Sequence, residues 1–427
     1  MKKPLSGLTR RGFVKGATGM GLLVSSSSLA SPAIAASKTI RIGYVTPTTG
    51  PLAIFTEPDD FTLNQFKKQL EGGLNINGAN HAVEFIVKDS QSNSNRASSV
   101  AQELILGDEV DLIMAASTPD TTNPVADQAE LNGVPCITND TPWQPHFFGR
   151  QGDPAVGFDY TYHFFWGLED IISVYMAMWD QVETNKVVGA LWPNDPDGNG
   201  WADPTHGFPP VMAERGYELV ATGRYQNMSD DFSAQISAFK KAGVEIVTGV
   251  VIPPDFTTFW TQAAQQDFHP KVVNAAKATE FPHAIAGLGE RADGLSVEVW
   301  WSPQHPFSSG FTGQTSAELA AEYTAATGNP WTMPLGFKHA LLEVAVDALR
   351  RTEDPTSPES IAAAIKATSY DSVVGTIDFS KGPVPNIAKT PLVGGQWKLD
   401  GGVLDLQLVE NGDHPDIPTS ASMRPIG

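Results

Sequence analysis

The sequence predicts an α/β protein with two doubly wound, mostly parallel sheets, each forming the centre of one lobe. From residue 38 onward, short β-branched runs alternate with segments whose apolar residues recur at helical spacing. This alternation is typical of βαβ units and parallel sheets. It occurs as two successive series separated near residue 160, and a chain of 427 residues is long enough for two or three domains. We therefore expect two lobes.

The first series begins with the run 39–45, whose β-branched residues predict a strand. Phe61, Phe66 and Leu70 then recur at near-helical spacing, and Ser94 can cap a later helix. The complete prediction for this series is strands at 39–45, 83–87, 110–114 and 134–137, with helices at 60–72, after Ser94 and at 122–132.

The second series follows the same pattern, and a shorter tail then completes both lobes. Its predicted strands are 186–192, 217–222, 245–251 and 271–274, and its helices are 204–215, 230–242 and 255–268. The tail is predicted to contain an extended segment at 295–300, helices at 316–327, 335–351 and 358–368, and strands near 373–379, 393–398 and 403–408.

The first 35 residues have the composition of an export signal. A basic region with the pair Arg10 and Arg11 precedes a weakly apolar stretch, and residues 33–35 read Ala-Ile-Ala, a typical cleavage pattern. The paired arginines resemble a twin-arginine signal, which implies export of a folded protein by the twin-arginine translocase. We expect cleavage near Ala35 and a soluble mature protein in the periplasm, since no cysteine stands near the cleavage site to carry a lipid.

Charge and cysteine content exclude other classes. The chain has 28 Lys and Arg against 48 Asp and Glu, and all five cations of the first 35 residues are lost on cleavage. Such an acidic surface repels nucleic acid. Cys136, the single cysteine, lies in an apolar run and is expected to be a buried small side chain, not a nucleophile.

Several short motifs, in order, resemble the periplasmic solute-binding proteins of ABC importers, of the leucine/isoleucine/valine-binding type. The likeness covers most of residues 38–410. The motifs are Ile42-Gly43, Thr49-Gly50-Pro51-Leu52-Ala53, Val87-Lys88-Asp89-Ser90-Gln91-Ser92, Ser117-Thr118, Gly133-Val134-Pro135, Asp230 and Phe232 with Gln235, Gly375-Thr376-Ile377-Asp378-Phe379 and Gln396-Trp397-Lys398.

This resemblance implies a type I periplasmic binding protein fold that binds a small solute between its lobes and delivers it to an inner-membrane ABC permease. Crossovers are expected near 155–165, 300–304 and 384–392. The first lobe would then contain 38–158 and 304–386, and the second 159–303 and 387–427. No cofactor is implied.

Polar residues that follow strands of the first lobe are candidate ligand contacts, because ligands bind at the carboxyl ends of parallel strands. Ser117 and Thr118 stand at the start of a predicted helix, where hydroxyls and free N–H groups suit a carboxylate; simple helix capping is the alternative. Asn139, Asp140 and Thr141 follow the strand that ends near 137, and an ordinary loop is the alternative there.

Phe55 lies on the first cleft loop, where the family often places an aromatic ring over the ligand.

Lys277 and Glu280 are alternative candidates for the residue that pairs with the charged group of the solute. Branched-chain amino-acid binders place an acid after the strand at 271–274 to pair with the ligand ammonium. This sequence has Lys277 near that position and Glu280 three residues later. A cleft-facing Lys277 favours an anionic solute, whereas a cleft-facing Glu280 favours an amino acid. The spacing leaves both open.

The run 194–200, Asn-Asp-Pro-Asp-Gly-Asn-Gly, has two interpretations. Asp195, Asp197 and Asn199 match the first positions of a calcium loop, but His206 stands where a bidentate Glu is required. We therefore expect a βα loop that places Asp197 at the cleft, and no metal site.

A transport receptor is the function that the sequence favours. A soluble periplasmic sensor with the same fold is the alternative from another class, and a periplasmic enzyme is a third. The histidines are dispersed, and no catalytic signature such as HExxH or GxSxG is present, so an enzyme is not expected.

Overall fold

The structure is a computed structural model, and it describes residues 38–427. The predicted export signal lies outside these residues. Within them, none of the helices has the length and apolar character needed to cross a membrane.

Strands and helices alternate along the described chain. The strands are β1 Ile40–Thr46, β2 Leu74–Ile76, β3 Ala79–His81, β4 Val83–Asp89, β5 Leu112–Ala116, β6 Cys136–Asn139, β7 Thr161–Phe164, β8 Val187–Leu191, β9 Glu218–Ala221, β10 Ile246–Val251, β11 Val272–Lys277, β12 Ser296–Val299, β13 Ser369–Ser372, β14 Gly375–Asp378, β15 Ile387–Ala388, β16 Val393–Asp400 and β17 Val403–Glu410. The α-helices are α1 Asp59–Gln69, α2 Ser94–Gln102, α3 Pro119–Asn132, α4 Trp143–Phe147, α5 Leu168–Asp180, α6 Pro196–Trp201, α7 Phe208–Glu214, α8 Ser233–Ala242, α9 Pro253–Gln265, α10 Pro282–Leu288, α11 Ser316–Thr327, α12 Met333–Arg351 and α13 Pro358–Lys366.

The first lobe is built on a six-stranded sheet of order β15-β7-β6-β5-β1-β4, in which every neighbouring pair is parallel. Strands β1 and β5 are almost wholly buried, as expected for parallel strands covered by helices on both faces. Helices α1 to α4 and α11 to α13 pack on this sheet or on each other.

The second lobe is built on a seven-stranded sheet of order β17-β16-β12-β11-β10-β8-β9. Its strands are parallel except for β16 and β17, which pair antiparallel at one edge. The predicted fold class, two parallel-sheet lobes, is confirmed. In both lobes the sequence-based strands lie within a few residues of the observed ones.

The chain passes between the sheets three times: after Phe164, after Val299 and after Ala388. Strands β7 and β15 thus belong to the first sheet. The passages after them begin inside the segments 155–165 and 384–392, a few residues after positions 158 and 386, and the passage after β12 begins at residue 300.

Helices α5 and α6 and the β2–β3 hairpin have no counterpart in the sequence-based prediction, and the helix expected at 204–215 corresponds to α7. Helix α5 packs its buried face against β12, β16 and β17, and Glu169, Ser173 and Asp180 lie on its exposed face.

Candidate functional site

The carboxyl ends of strands from both sheets face one cavity between the lobes. Its lining combines residues that follow β5 and β6, residues at the ends of β10 and β11, and residues of the two crossovers at 165–166 and 300. The cavity volume is about 30 Å³, which is room for one or two water molecules. Parallel α/β sheets bind ligands at this edge.

The lobes are in a closed arrangement. Phe55, on the loop after β1, packs edge-to-face on Phe281 of the second lobe with ring centroids 4.8 Å apart. Leu52 and Ile252 complete this small apolar cluster. Beside it, His283 Nδ1 lies 2.6 Å from Glu57 Oε1, again across the lobes. These contacts exist only while the cleft is closed.

On the first-lobe side, Asp140 is held by a buried lysine. Lys338 of α12 places its ammonium 3.0 Å from Asp140 Oδ2 and donates a hydrogen bond to the Ala116 carbonyl at 2.9 Å. Asp140 Oδ1 has no hydrogen-bond partner among the described residues. Burial raises the pKa of Asp140, and the Lys338 ammonium opposes that rise.

The start of α3 contributes hydroxyl groups to the same side. The side-chain oxygens of Ser117, Thr118, Thr121 and Thr122 are all buried without a hydrogen-bond partner in the described chain. Thr118 lines the cavity and is the N-cap residue of α3, but its side chain makes no capping hydrogen bond. The Thr118 hydroxyl is therefore available to a ligand in the cavity.

On the second-lobe side, Lys277 is already paired. Its ammonium lies 2.6 Å from Asp197 Oδ2 and 4.0 Å from Asp195 Oδ2. Burial disfavours the charged ammonium, but the two carboxylates outweigh burial and raise the pKa of Lys277. From the first lobe, Asp120 faces the same ammonium, and burial raises the pKa of Asp120 to about 6.

Asp140 and Lys277 share an unusual backbone conformation. Their φ angles are 60° and 65°, in the left-handed region that side-chain-bearing residues rarely adopt. Asp140 directly follows β6 and Lys277 ends β11, and these strands occupy equivalent places in the two sheets. Strain of this kind is concentrated at functional sites.

Glu280 and Glu298 form a buried acid pair. Both carboxyl groups line the cavity, and each lies near enough to the other to influence its ionisation. The Lys277 backbone N–H donates to Glu280 Oε1 at 2.7 Å, and the Tyr175 hydroxyl donates to Glu298 Oε2. Burial raises the pKa of both carboxyls, and the charge of Glu280 raises that of Glu298 further.

Aromatic rings form the remaining wall. Phe165 and Trp166 come from the first crossover and Trp300 from the second, and Trp201 comes from α6. Phe165 packs edge-to-face on Trp300 at 5.3 Å. The indole N–H groups of Trp166, Trp201 and Trp300 are buried without an acceptor among the described residues.

This two-lobed geometry agrees with the comparison to known protein families. Residues 39–402 match the model of a family described as periplasmic binding protein. The chain belongs to the periplasmic binding protein family. The sequence-based recognition of the leucine/isoleucine/valine-binding type agrees with this match.

Solved structures of other periplasmic binding proteins share the fold. A leucine-binding protein of Thermotoga maritima has a TM-score of 0.70 at 19% identity, over 88% of this chain and 99% of its own. A Streptococcus pneumoniae protein, in complex with isoleucine, has a TM-score of 0.66 at 17% identity, over 87% and 99%. A solute-binding protein of Rhodopseudomonas palustris, in complex with 3,4-dihydroxybenzoic acid, has a TM-score of 0.69 at 19% identity, over 88% and 99%.

Most of the residues singled out from sequence lie at the cavity of this periplasmic binding protein. Those that line it are Phe55, Thr118, Asp140, Asp197, Lys277 and Glu280. The other three lie just behind it: Ser117 is buried, Asn139 donates to the Phe337 carbonyl at 2.9 Å, and Thr141 Oγ1 is 3.5 Å from the Ser117 carbonyl. Lys277 and Glu280, expected as alternatives, both face the cleft.

The calcium-loop interpretation of 194–200 finds no support in the geometry. Asp195 caps α6 through a hydrogen bond from Gly198 N at 2.7 Å, and Asp197 is paired with Lys277. Within residues 38–427 no group of three or more acidic, histidine or cysteine side chains is arranged to hold a metal ion.

Sequence reasoning missed Glu298 and Lys338. Glu298 lies inside a strand and Lys338 inside a long buried helix, so neither follows a strand end, where candidates were sought. The available signal was a charged residue flanked by apolar ones, because an unpaired charge is rarely buried.

Proposed function

We propose that this protein is the extracytoplasmic substrate-binding component of an ABC importer. Its lobes close on a small polar organic solute, and the closed form presents that solute to an inner-membrane permease. The observation that carries the proposal is the cavity between the lobes, whose wall holds buried hydroxyl, indole and carboxylate groups without partners in the described chain. Buried polar groups are normally hydrogen-bonded, so these groups are suited to a ligand.

The ligands named for the structural neighbours suggest two classes of solute. One neighbour is a leucine-binding protein, and others were solved with isoleucine, with 3,4-dihydroxybenzoic acid and with 4-hydroxybenzoate. For this chain we therefore consider amino-acid-like solutes and carboxylates, including aromatic ones. Closure then follows from the higher affinity of the solute for the closed state.

A ligand screen tests the proposal. The mature protein is mixed with pools of amino acids, aromatic acids, short carboxylates and amines, then analysed by native mass spectrometry and thermal shift. We expect one compound bound per chain, recovered unchanged, and a higher melting temperature. A ligand at 100 times its Kd stabilises the folded state by about 2.7 kcal/mol.

A cavity-filling variant locates the binding. Ala276 lines the cavity, so Ala276→Leu should block the solute, whereas Ala264→Leu places the same side chain on an exposed position of α9. Chemical conversion of the bound compound would indicate an enzyme instead. Equal binding by both variants would show that the solute binds outside this cavity.

We also infer that the precursor is exported by the twin-arginine translocase. The support is the sequence of residues 1–35 alone. Replacing Arg10 and Arg11 with lysine should leave unprocessed precursor in the cytoplasm, as seen by immunoblots of fractionated cells. Normal processing and periplasmic yield would contradict this route.

A further inference from the structure

The cations of the cleft are already engaged. Lys277 is bound to Asp197 at 2.6 Å, and Lys338 lies 3.0 Å from Asp140. Against these two cations stand seven carboxyl groups that line the cavity or face the two lysines, namely Asp59, Asp120, Asp140, Asp195, Asp197, Glu280 and Glu298. A carboxylate entering this cleft would meet excess negative charge and no unpaired cation among the described residues.

The Glu280–Glu298 pair is suited to share one proton. Two neighbouring buried carboxyl groups on one cavity wall favour a state with one proton between them, because two adjacent buried charges repel. The groups facing the pair are the Tyr175 hydroxyl on α5, Lys277 on β11 and Asp140 of the first lobe. Glu298 Oε1 accepts no hydrogen bond from an N–H or hydroxyl group of the described residues.

Aromatic rings stand in the same cavity as this pair. Phe165, Trp166 and Trp300 line it together with Glu280 and Glu298. Aromatic faces attract organic cations, and most strongly where water is excluded. Excess carboxylate and an aromatic wall are thus combined in one small cavity.

We propose that the solute is an organic cation, an amine in its ammonium form, and that it binds at the Glu280–Glu298 pair in exchange for the shared proton. The proton passes to solvent as the ammonium takes its place between the two carboxylates, so the charge of the cleft is conserved. This inference rests on the proposed solute-binding function and specifies its ligand class.

Matched probes of equal carbon skeleton separate cation from anion. These are benzylamine with benzoate and phenylalanine, and 3-methylbutylamine with 3-methylbutanoate and leucine. We expect thermal stabilisation by at least one amine and none by its carboxylate counterpart. Stabilisation by carboxylates alone would overturn this inference and leave the proposed function intact. Stabilisation by none of these probes would overturn it too, while the function is decided separately by the wider screen.

Calorimetry in two buffers of different ionisation enthalpy measures the number of protons released when the amine binds. We expect release of up to one proton per amine bound, and an affinity that rises with pH by as much as about tenfold per unit while the pair is protonated. Glu298→Gln should abolish the release and weaken binding at least tenfold. Glu218→Gln, an exposed change on β9 of the same lobe, should do neither.

Glu280→Gln provides a second, independent variant in case Glu298→Gln does not fold, as judged by circular dichroism. It removes the other half of the pair and should also abolish proton release. Amine binding without proton release in the unaltered protein would overturn the exchange.

Discussion

Among residues 38–427, Lys277 is the one cationic side chain that lines the cavity, and its buried ammonium lies 2.6 Å from the equally buried Asp197 carboxylate. Removing one partner of a buried ion pair leaves an uncompensated charge, which costs about 3–5 kcal/mol. We expect Lys277→Met to lower the free energy of unfolding by about that amount, measured by urea denaturation. The double variant Lys277→Met with Asp197→Asn should recover most of the loss.

Lys271→Met is the matched control. Lys271 pairs with Glu245 at 3.1 Å, but this pair is largely solvated, so its loss should cost less than about 1 kcal/mol. Equal losses in the two single variants would show that the Lys277 pair is not an important contributor to stability.

Parallel strands bring their carboxyl ends to one edge, and that rule is enough to expect Asp140 at the cleft. Lys277 was singled out through the resemblance to the family. The pairing of Lys277 with Asp197 did not follow, since it depends on how far α6 brings Asp197 toward β11. The contact between Lys338 and Asp140 depends on the packing of a helix almost 200 residues away in the chain. The spacing of residues in the sequence does not indicate that contact.

At the scale of elements, the β1–α1 loop connects the lobes through Phe55. An edge-to-face aromatic pair contributes about 0.5–1.5 kcal/mol beyond the area that it buries. The Phe55–Phe281 contact belongs to the closed form, so Phe55→Ala should weaken solute binding by about two- to tenfold while the melting temperature without solute changes little. Calorimetry with the screened solute measures the first effect.

Phe148→Ala is the control for this change, because Phe148 is 45% exposed and belongs to the loop after α4. It should bind the solute as the unaltered protein does. If Phe55→Ala also binds normally, the aromatic contact does not contribute to closure.

Helix α12 carries a buried acid that ties the β13–β14 hairpin to the first lobe. Glu343 accepts hydrogen bonds from Ser309 Oγ at 2.7 Å and from Val373 N at 3.1 Å. Burial raises the pKa of Glu343 to about 7, while these donors oppose the rise.

The pKa of Glu343 is higher in the folded protein than in the unfolded chain, so Glu343 contributes fully to stability at pH values below the unfolded pKa. This contribution is lost as the pH rises through about 7. Between about pH 4.5 and 8, the unaltered protein should therefore lose up to about 3 kcal/mol of stability relative to Glu343→Gln. Denaturant melts at both pH values measure the difference. Glu353→Gln, an exposed change in the same lobe, should show no pH-dependent difference in stability from the unaltered protein. If Glu343→Gln also shows no such difference, the raised pKa of Glu343 is contradicted.

For the whole molecule, the alternation of strands and helices was enough to predict two lobes, because a parallel sheet requires a crossover after every strand. The alternation alone does not indicate where the chain passes between the lobes, and those positions were expected from the resemblance to the family. β7 and β15 are four and two residues long, with β15 at the edge of the first sheet and β7 beside it. Strands so short have no distinctive pattern, and only their pairing with β6 and with each other identifies them.

The closed arrangement leads to a prediction about the overall dimensions in solution. The lobes meet across the cleft at the Phe55 cluster, at the His283–Glu57 pair and where α6 packs against α3 and α4. The closed cavity has room for only one or two water molecules. Unliganded protein should therefore populate an open form whose cleft admits the solute, and bound solute should select a closed one.

Small-angle X-ray scattering should show a smaller radius of gyration with saturating solute than without it. Ala276→Leu, which cannot admit the solute, should show no change on addition. Equal radii in the unaltered protein with and without bound solute would mean that the lobes are rigid and that the solute enters by side-chain movement.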